Sequence, residues 1–135
     1  MTFLVERLAE LRRYLDHLHD LQRRVPGRSA LERDLSLHND LLFSLLMAAQ
    51  LVIDIAGELS ARRGDRFEDY TEAIRNLGRD SRFSPELVSE LERLPGFRNV
   101  LIHEYVALDL DRAVDALNRL QPIEHFFEIV RRLEM

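Results

Sequence analysis

The chain has 135 residues, of which 46% are hydrophobic and 32% charged, and its formal net charge is −5. This length suits one folded domain with one core, and the balance of apolar and charged residues excludes a disordered or fibrous chain. Cysteine is absent, which excludes disulfides, thiolate metal ligands and a cysteine nucleophile. The acidic charge argues against nucleic-acid binding over the whole surface. We therefore expect one domain over residues 1–135.

The N-terminal segment, MTFLVERLAELRRYL, reaches its first charged residue at Glu6. It offers no uninterrupted apolar stretch long enough for a signal peptide or a membrane span. Together with the lack of cysteine, this favours a cytoplasmic protein without a membrane span.

The first predicted helix covers about residues 4–22. Its leucines recur at alternating spacings of four and three, which places one apolar stripe along a helix. The segment VPGRS, residues 25–29, carries the Pro and Gly that end this helix. Ser29 followed by Glu32 matches a capping box, which predicts that a second helix begins at once.

The second predicted helix is long and very apolar, and it runs from about Ala30 to Arg62. We expect it to be the central helix, covered by other helices on most sides. Gln50 and Asp54 lie one turn apart within it. They either hydrogen-bond to neighbouring helices or belong to a functional site, since a carboxylate in apolar surroundings needs a partner.

Two shorter helices are predicted next. Gly64 ends the second helix, and a third helix from about residue 69 to residue 77 is closed by Gly78. Ser84 followed by Pro85 predicts the start of a fourth helix, because proline suits the first helical position.

Proline also divides the C-terminal part of the chain. The segment Leu94-Pro95-Gly96 interrupts the fourth helix, so that FRNVLIHEY starts a new helical turn or follows a kink. Asp109 or Asp111 can cap a last helix to about Leu133, which Pro122 should kink or split. With no strand alternation or internal repeat, the predicted fold class is all-α, an antiparallel bundle of about five helices.

The histidines of the sequence form no recognisable metal motif. His17 and His19 are two positions apart, about 200° around a helix, and cannot share a metal there. His103 is not followed by a second histidine one turn later, so the zinc protease motif is absent. Glycine-rich phosphate loops and nucleotide fingerprints are absent as well. We therefore expect neither a metal nor a cofactor.

The remaining candidate for chemistry is the segment RNVLIHEY, from Arg98 to Tyr105. It resembles the signature of the HepT-like HEPN ribonuclease toxins, which is Arg, a polar residue, three further positions, His, any residue and Tyr. Asn99 supplies the polar residue and His103 the histidine. Asp54 also matches, because the family tends to carry an acidic residue in its second helix. The resemblance extends over nearly the whole chain.

The resemblance implies a function and a set of roles. It implies a dimeric, HEPN-like helical bundle that acts as a metal-independent endoribonuclease toxin. Arg98 and His103 would be catalytic, with Asn99 and Asp54 in supporting positions. It also implies a partner, a minimal nucleotidyltransferase antitoxin (MntA-like) that transfers AMP onto Tyr105.

Helix geometry constrains how such a site is built. Residues five apart on an ideal helix differ by about 140°, so one helix face cannot present Arg98 and His103 side by side. A long arginine can swing round, or a groove between two subunits can gather groups from both copies. The resemblance implies the second arrangement, a two-fold homodimer.

The expected chemistry follows from the residue types. His103 can take a proton from a ribose 2′-hydroxyl or give one to the leaving 5′-oxygen. The Arg98 guanidinium can hold the scissile phosphate and stabilise its extra charge.

A second class of function is a non-catalytic HEPN binding module or scaffold that partners a nucleotidyltransferase. The complete motif favours the enzyme, whereas the net charge of −5 favours the scaffold. In the plainest interpretation, Arg98 and Glu104 are surface charges, and His103 and Tyr105 pack at a helix end.

Overall fold

The computed structural model describes residues 2–134 and consists there of α-helices without strands. The helices of this part of the chain are α1 (Thr2–Arg24), α2 (Arg28–Arg33), α3 (Leu35–Arg62), α4 (Tyr70–Asn76), α5 (Pro85–Leu91), α6 (Leu94–His103), α7 (Leu110–Leu117) and α8 (Gln121–Leu133). A 3-10 turn, Leu77–Arg79, directly follows α4. The all-α fold class is confirmed, and several of the predicted helices are divided into shorter ones.

Helix α3 forms the centre of the bundle, as its apolar sequence predicts. It packs against α1, α2, α4, α6 and α7. By length and composition it could cross a membrane, but 61% of its most apolar stretch is buried within the protein. Packing against the other helices therefore accounts for its apolar character, as expected for the core helix of a bundle.

Helix α1 covers one side of α3 with the predicted leucine stripe. Leu4, Leu11 and Leu18 are fully buried, and Leu8 and Leu15 are at most 7% exposed. The stripe belongs to one continuous hydrophobic cluster that extends from Leu4 to Val130. Both ends of the chain thus contribute to the same core.

The predicted second helix is wrong in one respect, because Asp34 divides it into α2 and α3. The Asp34 backbone is extended, with φ −134° and ψ 102°, and its carboxylate accepts a hydrogen bond from the Leu37 amide at 3.1 Å. Aspartate prefers this capping position to a helix interior. The predicted capping box at Ser29 does not form, since Ser29 lies inside α2 and the N-cap is Gly27.

The other predicted boundaries are mostly confirmed. Gly64 follows the end of α3 with a positive φ of 74°, a conformation that favours glycine. Ser84 caps α5. The break between α5 and α6 falls at Glu92 and Arg93, just before the predicted interruption, so that Pro95 lies in the first turn of α6. Pro122 splits the last predicted helix into α7 and α8, and Asp109 rather than Asp111 caps α7.

Helix α6 crosses α3 in the antiparallel direction. Arg98, towards the middle of α6, reaches Gln50 of α3, whereas Tyr105, just past the end of α6, reaches Asn39 near the start of α3. This arrangement lays the whole Arg98–Tyr105 segment along one side of the central helix.

Candidate functional site

The apolar face of helix α6 packs into the core, and its polar residues lie at or near the surface. Pro95 and Leu101 are buried in the core, while Arg98 is half-buried and Asn99 and His103 are exposed. Because apolar residues occupy the inner positions of this short helix, the polar residues between them point outward.

Arg98 is held by two neutral acceptors. Its Nη1 donates to Oε1 of Gln50 at 2.7 Å, and its Nε donates to Oδ1 of Asn99 at 3.0 Å. Neither acceptor carries a charge, so the guanidinium keeps its positive charge unneutralised by these two contacts. An anion can therefore bind to it without first displacing a carboxylate.

Asp54 acts on Arg98 through Gln50. Gln50 donates its Nε2 to Oδ1 of Asp54 at 2.8 Å, so its amide accepts from Arg98 on one side and donates to the carboxylate on the other. The second oxygen of Asp54 lies 3.9 Å from Nε of Arg7 on α1, in a partly exposed ion pair. The structure thus brings Asp54 into the network around Arg98 without direct contact between the two.

A fourth element, α4, also reaches Arg98. The Arg98 Cζ atom lies 5.7 Å from the centre of the Tyr70 ring, a distance at which a cation and an aromatic face attract each other. Tyr70 is 41% exposed. Sequence reasoning did not identify it, because an aromatic residue after a capping aspartate gives no sign of which helix it will face.

Tyr105 lies at the other end of the motif. Its hydroxyl donates to Oδ1 of Asn39 at 2.6 Å, and its ring stands edge-on to that of His38, 5.7 Å between centroids. Partial burial raises the pKa of the Tyr105 phenol. Asn39 and His38 were not singled out from the sequence, since only the packing of α3 beside the end of α6 brings them here.

His103 is the last residue of α6 and is exposed. Among the described residues it has no hydrogen bond or ion pair with another side chain. Arg98, in contrast, is turned towards α3 and α4. One chain therefore does not bring Arg98 and His103 into contact, as their separation of about 140° around a helix requires.

Two histidines of α1 pair with carboxylates of other helices. His17 lies 2.8 Å from Asp40 of α3, and His19 lies 2.5 Å from Glu124 of α8. Within residues 2–134 no group of three or more His, Cys, Asp or Glu side chains is arranged to hold a metal ion.

The fold and the motif together define a class of protein, a helical ribonuclease of the HEPN type. The chain belongs to the HepT-like family, described as "Ribonuclease HepT-like", whose sequence profile matches residues 11–130. The resemblance noted in the sequence is confirmed, and so is the ribonuclease class of the enzyme that it implies.

Individual relatives agree with this assignment along nearly their whole length. The chain is 20% identical over 130 residues to the mRNA nuclease HepT of Shewanella oneidensis, covering 95% of this chain and 96% of that protein. It is 29% identical over 125 residues to a candidate RNase of Archaeoglobus fulgidus, covering 90% and 91%.

A solved structure has the same fold. The tri-AMPylated HEPN toxin of Shewanella oneidensis, determined in complex with an MNT antitoxin, superimposes with a TM-score of 0.82 and covers 96% of each chain at 19% identity. At this identity the likeness establishes the helical architecture alone.

Proposed function

We propose that this protein is a metal-independent endoribonuclease toxin whose activity depends on Arg98 and His103. The observation that carries the proposal is the position of the complete motif. In this motif Arg98 is held by neutral contacts, and His103 is open to solvent at the end of α6. Each side chain is accessible from solvent, although the two do not meet within one chain.

The reaction needs only the groups that this segment supplies. His103 takes the proton of the ribose 2′-hydroxyl as the 2′-oxygen attacks the phosphorus, or returns a proton to the 5′-oxygen as the phosphorus–oxygen bond breaks. Arg98 binds the phosphate oxygens and stabilises the charge that grows on them. Asn99 orients the Arg98 guanidinium through the 3.0 Å hydrogen bond, and Asp54 supports it through Gln50.

A homodimer completes the site in this proposal. Arg98 and His103 do not meet within one chain, and large apolar side chains lie exposed on α3 and around the end of α6. Phe43 is 53% exposed, Ile102 50% and Val106 99%. A second copy would cover this apolar surface and bring a second Arg98 and a second His103 to a shared groove.

We further propose that a minimal nucleotidyltransferase antitoxin of the MntA type controls the enzyme by transferring AMP onto Tyr105. The similar Shewanella oneidensis toxin is tri-AMPylated and bound to an MNT antitoxin. Here the Tyr105 hydroxyl is at the surface, with Asn39 as its partner. Added phosphates would bring negative charge and bulk beside the site where RNA phosphate binds, and so would block it.

The modification has its own test. Tyr105→Phe removes the acceptor oxygen and keeps the ring, so this variant should still cleave RNA but escape inhibition by the nucleotidyltransferase. A Tyr105→Phe protein that the partner silenced through AMP transfer would contradict this regulatory role.

The alternative is a non-catalytic scaffold for the nucleotidyltransferase, and the net charge of −5 favours it. Expression of the wild type beside His103→Ala in cells separates the two functions. The enzyme predicts growth arrest and degraded cytoplasmic RNA with the wild type alone. The scaffold predicts the same growth and intact RNA with both proteins.

A further inference from the structure

Tyr70 is an exposed aromatic residue beside the guanidinium of the proposed site. Its ring centre lies 5.7 Å from Arg98 Cζ, and 41% of the residue remains exposed. No hydrogen-bond partner of its hydroxyl is present among the described residues. The ring therefore has an open surface and a free polar group next to a cation.

Hydrogen bonds on either side of Tyr70 hold the backbone that carries this ring. Tyr70 is the first residue of α4, and Asp69 caps that helix by accepting from the Glu72 amide at 2.8 Å. The preceding loop is tied down by Asn76, which donates to the Arg66 carbonyl at 3.1 Å.

Phe67 adds a second aromatic ring to this surface. It lies 6.5 Å from Tyr70, between ring centroids, and packs against Gly57 of α3, where an added Cβ would meet Phe67 Cζ at 3.6 Å. Hydrogen bonds and packing thus hold the chain around Tyr70, as a binding platform requires.

We propose that Tyr70 forms a stacking subsite for an unpaired nucleobase of the RNA, on the nucleotide adjacent to the phosphate that Arg98 holds. This inference rests on the proposed ribonuclease function and adds a determinant of substrate choice to it. The subsite selects single-stranded RNA, because a base already stacked in a duplex does not expose a free face to the ring.

The chemistry of the two side chains supports this pairing. Aromatic rings and arginine planes are the surfaces on which unpaired bases stack, and each stacked base contributes appreciably to affinity. Here one of each lies within 5.7 Å of the other. Arg98 can therefore hold a phosphate while Tyr70 receives the base next to it, and stacking tolerates any base because each has a flat face.

Binding of a six-nucleotide, single-stranded 2′-O-methyl RNA, followed by fluorescence anisotropy, tests the subsite. This probe lacks the free 2′-hydroxyl, so binding is measured without cleavage. Tyr70→Ala and Tyr70→Leu should each weaken binding about tenfold, and Tyr70→Phe, which keeps the ring, should bind within about twofold of the wild type. Unchanged binding by both Tyr70→Ala and Tyr70→Leu would overturn the subsite.

A second set of probes locates the stacked base. Each probe has the same six nucleotides with one base removed. For the wild type, removal of one particular base should cost about tenfold in affinity, and for Tyr70→Ala the same removal should cost nothing further. Equal losses in the two proteins would overturn the proposal, as would a wild type that binds no probe.

The same variants distinguish RNA binding through Tyr70 from RNA cleavage. If the wild type binds the probes through Tyr70 but leaves ordinary RNA uncut, the ribonuclease proposal fails and the subsite stands. If Tyr70→Ala binds RNA normally but no longer binds the nucleotidyltransferase, Tyr70 is a protein contact and the subsite is overturned.

Discussion

At the scale of single residues, Arg98 depends on a neighbour outside its own motif. Gln50 accepts from Arg98 and donates to Asp54, and these two bonds of opposite direction fix which end of its amide faces which partner. Nothing in the motif itself would hold the guanidinium against α3. In the proposed enzyme, Gln50 is thus a positioning residue that links the carboxylate to the arginine.

We predict that Gln50→Leu lowers cleavage about tenfold and the free energy of unfolding by about 1 kcal/mol, since Arg98 and Asp54 each lose a partner. The double variant Gln50→Glu with Asp54→Asn keeps both hydrogen bonds but places a carboxylate against Arg98, so it should restore stability without restoring cleavage. Cleavage assays and chemical denaturation check both effects. A Gln50→Leu protein with wild-type cleavage would contradict the positioning role.

The sequence predicts which residues of this site could carry chemistry, but it does not predict which residues surround them. Arg98, Asn99, His103 and Tyr105 stand in one short motif, and Asp54 is conspicuous as a carboxylate in an apolar helix. Tyr70 and Asn39 are not conspicuous, because they reach the motif only through packing. Asn39 and Tyr105, for example, are separated by 66 positions along the chain.

At the scale of helices, capping side chains decide the boundaries that the apolar pattern leaves open. Apolar periodicity runs through residues 30–62 without a break, which predicts one helix. Asp34 divides it, because its carboxylate satisfies the Leu37 amide, and periodicity carries no information about such a local hydrogen bond. Proline, by contrast, is visible in the sequence, and the divisions just before Pro95 and Pro122 follow from it.

A pair of substitutions tests this account of the boundary. Asp34→Ala should lower the free energy of unfolding by about 1 kcal/mol, the usual effect of removing an N-cap. Ser29→Ala is the matched control, because Ser29 lies exposed inside α2 and should change stability little. Denaturant titration measures both. A larger loss at Ser29 than at Asp34 would favour the single long helix.

The stability that the His19–Glu124 contact between α1 and α8 contributes should depend on pH. The hydrogen bond to Glu124 raises the pKa of His19 above its ordinary value of 6.5. A raised pKa in the folded state stabilises the fold fully below about pH 6.5, and the stabilisation is lost as the pH rises through the folded-state pKa.

Glu124→Gln removes the charged partner and should abolish this dependence. We expect the difference in unfolding free energy between the wild type and this variant to be largest near pH 5.5 and to shrink towards about pH 8.5. Denaturant titrations across this range measure the difference. A difference that grows with pH would contradict the assignment of the His19–Glu124 pair.

At the scale of the whole molecule, the acidic charge and the geometry of α6 both limit how RNA can bind. A net charge of −5 repels RNA from most of the surface, so we expect binding to depend on local groups such as Arg98. A single chain turns Arg98 and His103 apart, and the exposed apolar side chains near them favour a second copy. Both constraints follow from the charge of the chain and the geometry of α6 alone.

We predict a homodimer whose contacts include Phe43. Light scattering at micromolar concentration should give a mass near twice the 15.9 kDa of one chain. Phe43→Arg should give a monomer with little cleavage, because it places a charge in the apolar contact. Ser89→Arg adds the same charge on an exposed position of α5 and should remain dimeric. A monomeric wild type would contradict the shared groove.

Cleavage by purified protein in the presence of EDTA tests whether His103 and Arg98 cleave RNA without a metal. Wild-type protein should cut single-stranded RNA, whereas His103→Ala and Arg98→Ala should each be slower by a factor of about a hundred or more. His103→Ala should unfold like the wild type, and Arg98→Ala should lose at most about 1 kcal/mol with its hydrogen bond to Gln50, because neither side chain is buried in the core. Cleavage unchanged in His103→Ala would contradict the role of His103, and cleavage lost from the wild type when EDTA is added would contradict a metal-independent reaction.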